Sequence, residues 1–366
     1  MADEHLTAPL APVTEALLAA AKAAGAEAAD AIAIEGRSVS IDVRKGGLEH
    51  AERAEGLDIG LRVLIGQRQA CISSSDTRPE TLEAMAKRAV AMAREAPEDP
   101  YAGLADPAQL AAQRSADGLE LFDADPEPDP AALEEDARRA EAAAMAVSGV
   151  TQVQSASAAY GVQAVWLAAS NGFSGGYGRT SRHVSCVAIS GEGTGMERDW
   201  CAEGRIFQSD LPSPDEVGRL AAERAVARHG ARRPRTGTFP VLYDERIAGS
   251  LIGHLLGAIN GSAIARGSSW LRDAMGEAVL PAGISLREDP LRVRRSGSRP
   301  FDAEGLPSRA RDLVADGVLQ GWVLDLATAR KLGLESTGPA VRGPSAGGGS
   351  LAGPGGGLAC GWIHHV

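Results

Sequence analysis

The chain has 366 residues, of which 44% are apolar and 23% are charged, and its formal net charge at pH 7 is −11. At roughly 100–200 residues per domain, this length and composition predict a globular protein of two or three domains. The acidic balance argues against a general nucleic-acid binder, because such a protein needs a basic face to neutralise phosphates. Two short arginine-rich stretches, 228–235 and 292–295, are interpreted as solvated linkers.

The sequence also indicates a cellular compartment. It contains no run that approaches the roughly 20 apolar residues needed to cross a bilayer. Its first residues lack the basic start and the apolar core of a signal peptide. The four cysteines form no CxxC pair, which is typical of thiols in a reducing compartment. We therefore expect a cytoplasmic protein with no membrane and no nucleic acid among its partners.

The first segment, residues 1–96, has the pattern of an N-terminal α+β domain. Apolar residues at helical spacing predict a helix over 13–24, and a proline in the first turn supports another helix over 79–95. Between these helices, apolar and polar residues alternate, and glycines mark the turns, so consecutive antiparallel strands are predicted. The predicted strands lie within 31–43, 57–63 and 69–73.

Residues 97–130 are rich in proline and aspartate and are interpreted as a surface linker. The next segment, 131–231, is predicted to be a β-rich middle domain. It begins with a helix over 131–148 and ends with a helix over 214–229. Ser213 is the expected N-cap of the second helix, because its hydroxyl can accept a hydrogen bond from a free N–H in the first turn.

Strand signals dominate the middle domain between these two helices, from residue 150 to residue 207. Two turns are expected within this stretch, at Asn171-Gly172 and at Gly175-Gly176. Asn-Gly between alternating residues is a hairpin signal, since both residues tolerate positive φ angles.

Residues 236–342 form the predicted C-terminal domain. A strand is expected over 237–243, followed by a helix over 246–259. The stretch 314–324 reads as a β-hairpin, with Asp316-Gly317 in its turn. These elements, with those before them, indicate an α+β fold of mixed helices and largely antiparallel sheets in two to three modules.

From residue 343 to residue 366 the sequence becomes glycine-rich and loses all periodicity. Such a composition buries too little apolar surface to offset chain entropy. We therefore expect a disordered glycine-rich tail after a C-terminal domain that ends early.

Few residues have the spacing of a catalytic centre. The glycine-rich stretches lack the lysine of a phosphate-binding loop, and there is no GxSxG nucleophile motif. No two of the first five histidines lie close enough in sequence to share a helical turn. His254 lies on a predicted helix with apolar flanks, where it is either a satisfied side chain of a packed helix or a polar group in a peptide-binding cleft.

Several stretches resemble the TldD/PmbA family, and specifically its PmbA/TldE-type subunits, over roughly residues 13–340. In the middle domain these are Ser170–Tyr177 and Arg198-Asp199-Trp200. In the C-terminal domain they are Asp244–Gly261, Pro300–Gly305, Asp316–Leu319 and Ala329–Gly338.

The resemblance implies a role in proteolysis of small or unfolded polypeptides, in a family also described as modulators of DNA gyrase. In that family the TldD subunit holds zinc through an HExxxH helix and a later cysteine. It pairs with a PmbA-like subunit to form a heterodimer around a cleft. Two imidazoles and a third ligand would leave one zinc position open for the attacking water.

This sequence departs from the zinc motif. Gly253 stands where the first histidine would be, His254 stands where the glutamate would be, and Ala258 replaces the second histidine. The resemblance therefore implies that this chain binds no metal or cofactor and assigns no catalytic residue. It implies zinc in a TldD-like partner subunit, and a substrate cleft lined by Gly253, His254, Gly257 and Ala258.

The sequence also allows other interpretations of the chain's function. The chain could be a peptidase by itself, with His254 and a distant carboxylate such as Asp302 or Glu304 as metal ligands. It could also be a non-catalytic peptide-binding or gyrase-related interaction module. Family members continue beyond Ser336-Thr337-Gly338 where this chain becomes glycine-rich, so an incomplete C-terminal domain with exposed strand edges, or a product with no function, is also considered.

Overall fold

The structure, a computed structural model, describes residues 3–338 and 340. It has eight α-helices in these residues: α1 Glu4–Thr7, α2 Leu10–Ala24, α3 Pro79–Glu95, α4 Pro130–Met145, α5 Pro214–Ala227, α6 Glu245–Ala258, α7 Gly261–Ala265 and α8 Leu326–Leu332. It has nine strands there: β1 Ala28–Arg44, β2 Gly47–Ile65, β3 Arg68–Ser74, β4 Val150–Ala169, β5 Ser174–Ser190, β6 Glu197–Arg205, β7 Leu286–Glu288, β8 Arg311–Ala315 and β9 Val318–Leu319. Over this part of the chain, no helix is both long and apolar enough to cross a membrane.

The first six strands form a single antiparallel sheet in the order β3-β2-β1-β4-β5-β6. Its centre is the pairing of β1 with β4, which runs from Asp30↔Ala169 to Val43↔Ala156. The strands before and after the segment 97–130 therefore belong to one sheet. The predicted α+β fold with largely antiparallel sheets is confirmed.

One face of the sheet is covered by four helices. The pair α2 and α3 packs on one half of this face, around Leu17, Leu61 and Val63. The pair α4 and α5 packs on the other half, where alanines dominate the contact. Gly218 allows α4 and α5 to approach closely, since an added Cβ there would lie 2.0 Å from the Ala140 carbonyl oxygen.

The opposite face of the sheet is covered at one end by the C-terminal part of the chain, residues 236–338 and 340, which we call the third module. There Ile32 and Leu167 pack with Phe173 and Phe301, whose rings meet edge to face at a centroid distance of 4.9 Å. Alternate residues of β1 point to opposite faces, so Ile32 and Ala31 enter different cores.

The expected surface linker is partly buried. Ala105 packs with residues of the third module, Ala111 packs beside Phe173, and Leu119 and Leu121 form a small cluster with Ile206. The prolines and aspartates that suggested a linker lie between apolar residues that pack on the third module or on the end of the sheet. Composition alone did not reveal this burial, because the residues that cover this segment are distant in sequence and come together only in the folded chain.

Several predicted elements formed and two did not. Asp316 and Gly317 have the expected positive φ angles, 47° and 81°, between β8 and β9. The prediction of a turn at Gly175-Gly176 is wrong, because both glycines lie inside β5. A Cβ on Gly176 would lie 2.3 Å from the Trp166 ring, so this glycine marks close packing and not a turn.

The strand expected over 237–243 is also absent from the structure. These residues belong to no helix or strand, and Leu242 is 97% exposed. Alternation of apolar residues predicts a strand, but a strand needs a neighbour to bond its backbone. Among the described residues, no strand pairs with this segment. The disordered tail expected over 343–366 falls outside the described residues.

Candidate functional site

Helix α6 carries the four residues predicted to line a substrate cleft. Asp244 caps its N-terminus, because the Asp244 side chain accepts a hydrogen bond from the Arg246 N–H at 3.0 Å. Its apolar face, including Leu255 and Leu256, is buried in the core of the third module. This burial fixes the helix and leaves its other face to solvent.

The predicted cleft residues divide between these two faces. Gly253, His254 and Gly257 are exposed, whereas Ala258 is buried. Added Cβ atoms on Gly249, Gly253 and Gly257 would meet nothing within 4 Å. Because residues four apart share a helix face, these glycines leave a strip of bare backbone on α6. Each costs roughly 0.5–1 kcal/mol of helix stability relative to alanine.

An ion-pair network joins α6 to the edge of the large sheet. The Arg246 guanidinium lies 2.6 Å from the Asp199 carboxylate on β6, and Arg228 approaches the same carboxylate at 3.5 Å. Arg246 also lies over the Trp200 ring, 6.0 Å from its centroid. Asp199 and Trp200 belong to the stretch that carried the family resemblance, and their role here is to position α6.

The charge state of Asp199 follows from this network. Burial opposes its ionisation, but the hydrogen bonds and charges of Arg246, with the Trp200 N–H and Arg228, outweigh burial. The pKa of the Asp199 carboxyl therefore lies below its usual range. The network stays charged at neutral pH, which keeps α6 attached to β6.

Asp302 and Glu304 are buried structural carboxylates. The Asp302 Oδ1 accepts hydrogen bonds from the Glu304 and Leu306 N–H groups, both at 2.9 Å, and its Oδ2 accepts one from Ala340 at 3.2 Å. Glu304 accepts one at 3.0 Å from the Leu326 N–H, at the first turn of α8. These contacts fix the loop 302–306 and hold it against the start of α8.

Burial raises the pKa of Asp302 to about 6, and burial together with the Asp302 charge raises the pKa of Glu304 to about 8. The two carboxyls lie close together, so they titrate as a pair. Asp302 accepts three backbone N–H bonds and Glu304 accepts one, which favours the ionised form on Asp302 and the proton on Glu304.

A buried ion pair on the sheet influences the ionisation of Glu304. The Arg62 Nε–H donates to the Asp30 carboxylate at 2.7 Å, and the two side chains are only 9% and 4% exposed. The charge of Arg62 reaches Glu304, where it lowers the carboxyl pKa against the larger effect of burial. Sequence reasoning missed this pair, although Asp30 and Arg62 each lie in an apolar stretch of a strand and are directly opposite each other.

The residues present do not fit a zinc site. In residues 3–338 and 340, no group of three or more histidine, cysteine, aspartate or glutamate side chains is placed to hold a metal ion. His254 is exposed on α6, whereas Asp302 and Glu304 are buried and hydrogen-bonded. The geometry contradicts the hypothesis that His254 and either carboxylate form a metal centre.

Several large apolar side chains of the third module are exposed. Among them, Val241 (71% exposed) and Leu242 (97%) lie in the unpaired segment, and Ile247 (56%) and Leu251 (48%) lie on α6. Large apolar side chains exposed together mark surfaces that contact another polypeptide. Ile247 and Leu251 lie on the same helix as the bare glycine backbone.

Comparison with known proteins places these features in a family. Three domain families match in order: PmbA/TldA metallopeptidase domain 1 over residues 29–93, its central domain over 123–228 and its C-terminal domain over 236–355. The metalloprotease PmbA of Escherichia coli O157:H7 is 35% identical over 326 residues, which cover 88% of this chain and 71% of that protein.

Solved structures share the fold. A candidate modulator of DNA gyrase from Bacteroides thetaiotaomicron superposes with a TM-score of 0.83 at 24% identity, covering 89% of this chain and 74% of that one. TldE from Thermococcus kodakarensis superposes with a TM-score of 0.75 at 19% identity, covering 92% and 75%. The class defined here is a metallopeptidase-related α+β protein. The chain belongs to the PmbA/TldD family.

Proposed function

We propose that this chain is a PmbA/TldE-type subunit of a zinc metallopeptidase complex that takes part in proteolysis of small or unfolded polypeptides. It contributes one wall of the substrate cleft, and a TldD-like subunit in the heterodimer supplies the zinc. The observation that carries this proposal is the state of α6. Gly253 and His254 lie on its exposed face where the first histidine and the glutamate of HExxxH are expected. Ala258, in place of the second histidine, is buried, so the helix lacks the two histidine ligands.

The surface of α6 supports a role in pairing. Leu251 and Ile247 expose apolar side chains, and the glycines beside them expose backbone. A helix face without side chains lets another chain approach its backbone closely. The ion pair of Arg246 with Asp199 holds this face in a fixed position relative to the large sheet. We expect cytoplasmic localisation for the complex.

A second role is a peptide-binding or gyrase-related interaction module without any part in catalysis. The structural resemblance to a candidate modulator of DNA gyrase motivates it. The two roles differ in one measurable respect, because only the first requires a zinc-bearing partner for its effect on peptides.

The test mixes this chain with a TldD-like subunit and measures cleavage of an unfolded peptide with and without a zinc chelator. We expect cleavage only in the mixture and its loss with chelator. Chelator-sensitive cleavage by this chain alone would overturn the proposal. Peptide binding without any effect on cleavage in the mixture would favour the interaction module.

Matched substitutions locate the pairing surface. Leu251 and Leu48 are similarly exposed, at 48% and 52%, but Leu251 lies on α6 and Leu48 lies on β2. Leu251→Lys should abolish co-elution with the TldD-like subunit and cleavage in the mixture, whereas Leu48→Lys should preserve both. Equal effects of the two substitutions would show that α6 does not form the interface.

A further inference from the structure

A groove crosses the face of the large sheet that the helices leave open. It consists of two hollows with empty volumes, open mouths included, of about 830 Å³ and about 990 Å³. Both hollows are lined by Ile34, Gln163 and Arg179, so they join at these residues. We refer to the combined space as the sheet-face groove. It is distinct from the exposed face of α6.

The end of the groove nearest the third module is apolar. Its floor and wall are formed by Ile32, Ile34, Val165, Leu167, Tyr177 and Phe301. The Tyr177 and Phe301 rings meet edge to face with centroids 5.6 Å apart. A concave apolar surface with a few polar groups at its side is the usual form of a small-molecule site.

The middle of the groove is a polar row that crosses four strands. Gly56 pairs with Gly36, Gly36 with Gln163, and Gln163 with Arg179, so their side-chain positions share one face. An added Cβ on Gly56 would meet nothing within 4 Å, and one on Gly36 would meet only the Val162 carbonyl oxygen, at 3.6 Å. The two glycines leave open space beside an amide and a guanidinium.

Two guanidinium groups favour an anion at the apolar end of the groove, whereas the other hollow is lined by Arg37 together with Glu55 and Asp58. Arg179 donates to the carbonyl oxygens of Ser296 and Ser298, which fixes its guanidinium beside the groove. These bonds use two of its five N–H donors. Arg299 lines the same hollow. Asp302 is the only carboxylate among the described residues that line it, and its oxygens already accept three backbone N–H bonds.

We propose that the sheet-face groove binds a small amphipathic carboxylate. The aryl or alkyl part of the ligand packs on Ile34 and its apolar neighbours, and the carboxylate accepts hydrogen bonds from Arg179 and Gln163. A carboxylate is preferred to a neutral acceptor because it also forms an ion pair with the guanidinium and can accept two parallel N–H bonds from it. This site does not depend on the proposed role of α6.

The test titrates the full chain with 4-phenylbutyrate and with its uncharged amide and cationic amine analogues, by calorimetry or ligand-observed NMR. A ligand of about a dozen non-hydrogen atoms should bind with a dissociation constant on the order of 1 mM. The amide and amine should bind at least about 10-fold more weakly. Equal affinity for all three, or no carboxylate binding at about ten times that concentration, would overturn the proposal.

Two substitutions separate the groove from general surface binding. Gly36→Val places a branched side chain in the groove, and Gly47→Val is its control, since an added Cβ there meets only the Arg44 carbonyl oxygen at 4.0 Å, outside the groove. Gly36→Val should weaken carboxylate binding at least about 10-fold, and Gly47→Val should leave it unchanged. Unchanged affinity in Gly36→Val would contradict the site.

Arg179→Met tests the anion contact separately. It should weaken carboxylate binding by about 10-fold or more and weaken amide binding less, because only the carboxylate also loses the attraction between opposite charges. A circular dichroism spectrum and unfolding curve of each variant establish that it folds. If Arg179→Met disturbs the loop at 296–298, Gly36→Val still decides the question.

Discussion

Replacement of Glu304 by glutamine should stabilise the protein at alkaline pH and change it little near pH 5. Glutamine keeps an oxygen that can accept the hydrogen bond from the Leu326 N–H, but it cannot become charged. The wild-type carboxyl is buried, and burial with the neighbouring Asp302 charge raises its pKa to about 8, from an ordinary value of 4.5.

The sign of the pH dependence follows from this shift. A carboxyl whose pKa is higher in the folded state keeps its proton there at pH values where the unfolded chain has released it. Stability therefore falls as the pH rises through the window between 4.5 and about 8. Each pKa unit corresponds to about 1.4 kcal/mol. The loss between about pH 5 and about pH 8 is on the order of 3 kcal/mol.

The assay is urea unfolding followed by circular dichroism at several pH values across this window. The Glu304→Gln curve should lose less stability with rising pH than the wild type, so the difference should be largest near pH 8. Glu52→Gln, at an exposed position of β2, is the control and should follow the wild-type profile. Parallel wild-type and Glu304→Gln profiles, or a less stable variant at pH 8, would refute the reasoning.

Three further predictions concern packing and surface. Gly218→Ala should destabilise the protein by about 1–3 kcal/mol in chemical unfolding, because its Cβ would overlap the Ala140 carbonyl oxygen. Gly253→Ala should instead stabilise it by roughly 0.5–1 kcal/mol, since the site is open and alanine favours helix; a loss of stability would contradict the exposed placement. Leu242→Lys should reduce concentration-dependent self-association in light scattering, because that side chain is 97% exposed. Unchanged self-association would show that the exposed apolar side chain of Leu242 does not cause it.

Local patterns predicted many elements because their causes are local. Helix α3 has the predicted bounds, 79–95, since a proline start and a clear apolar period fall within one segment. Ser213 caps α5 as expected, accepting from the Glu216 N–H at 3.2 Å. The Asp316-Gly317 turn formed because both residues tolerate positive φ.

The candidate site was only partly accessible to sequence reasoning. The resemblance selected α6 and its residues, but periodicity did not show that Gly253 and His254 would be exposed while Ala258 would be buried. The roles of Asp199 and Arg246 also depended on the fold, since 47 residues separate these partners. The sheet-face groove could not be found from the sequence because its lining comes from separate strands and from the third module.

The sequence by itself determined the family resemblance, most of the helices and the absence of an HExxxH motif, because each depends on neighbouring residues. Only the tertiary structure decided which strands pair and which charges are buried. The pairing of β1 with β4, the burial of Asp30 with Arg62 and the carboxylate pair beneath α8 all require long-range contacts. The segment 237–243 also shows this dependence on long-range contacts. Its residues alternate as in a strand, but no strand forms, because no described strand pairs with it.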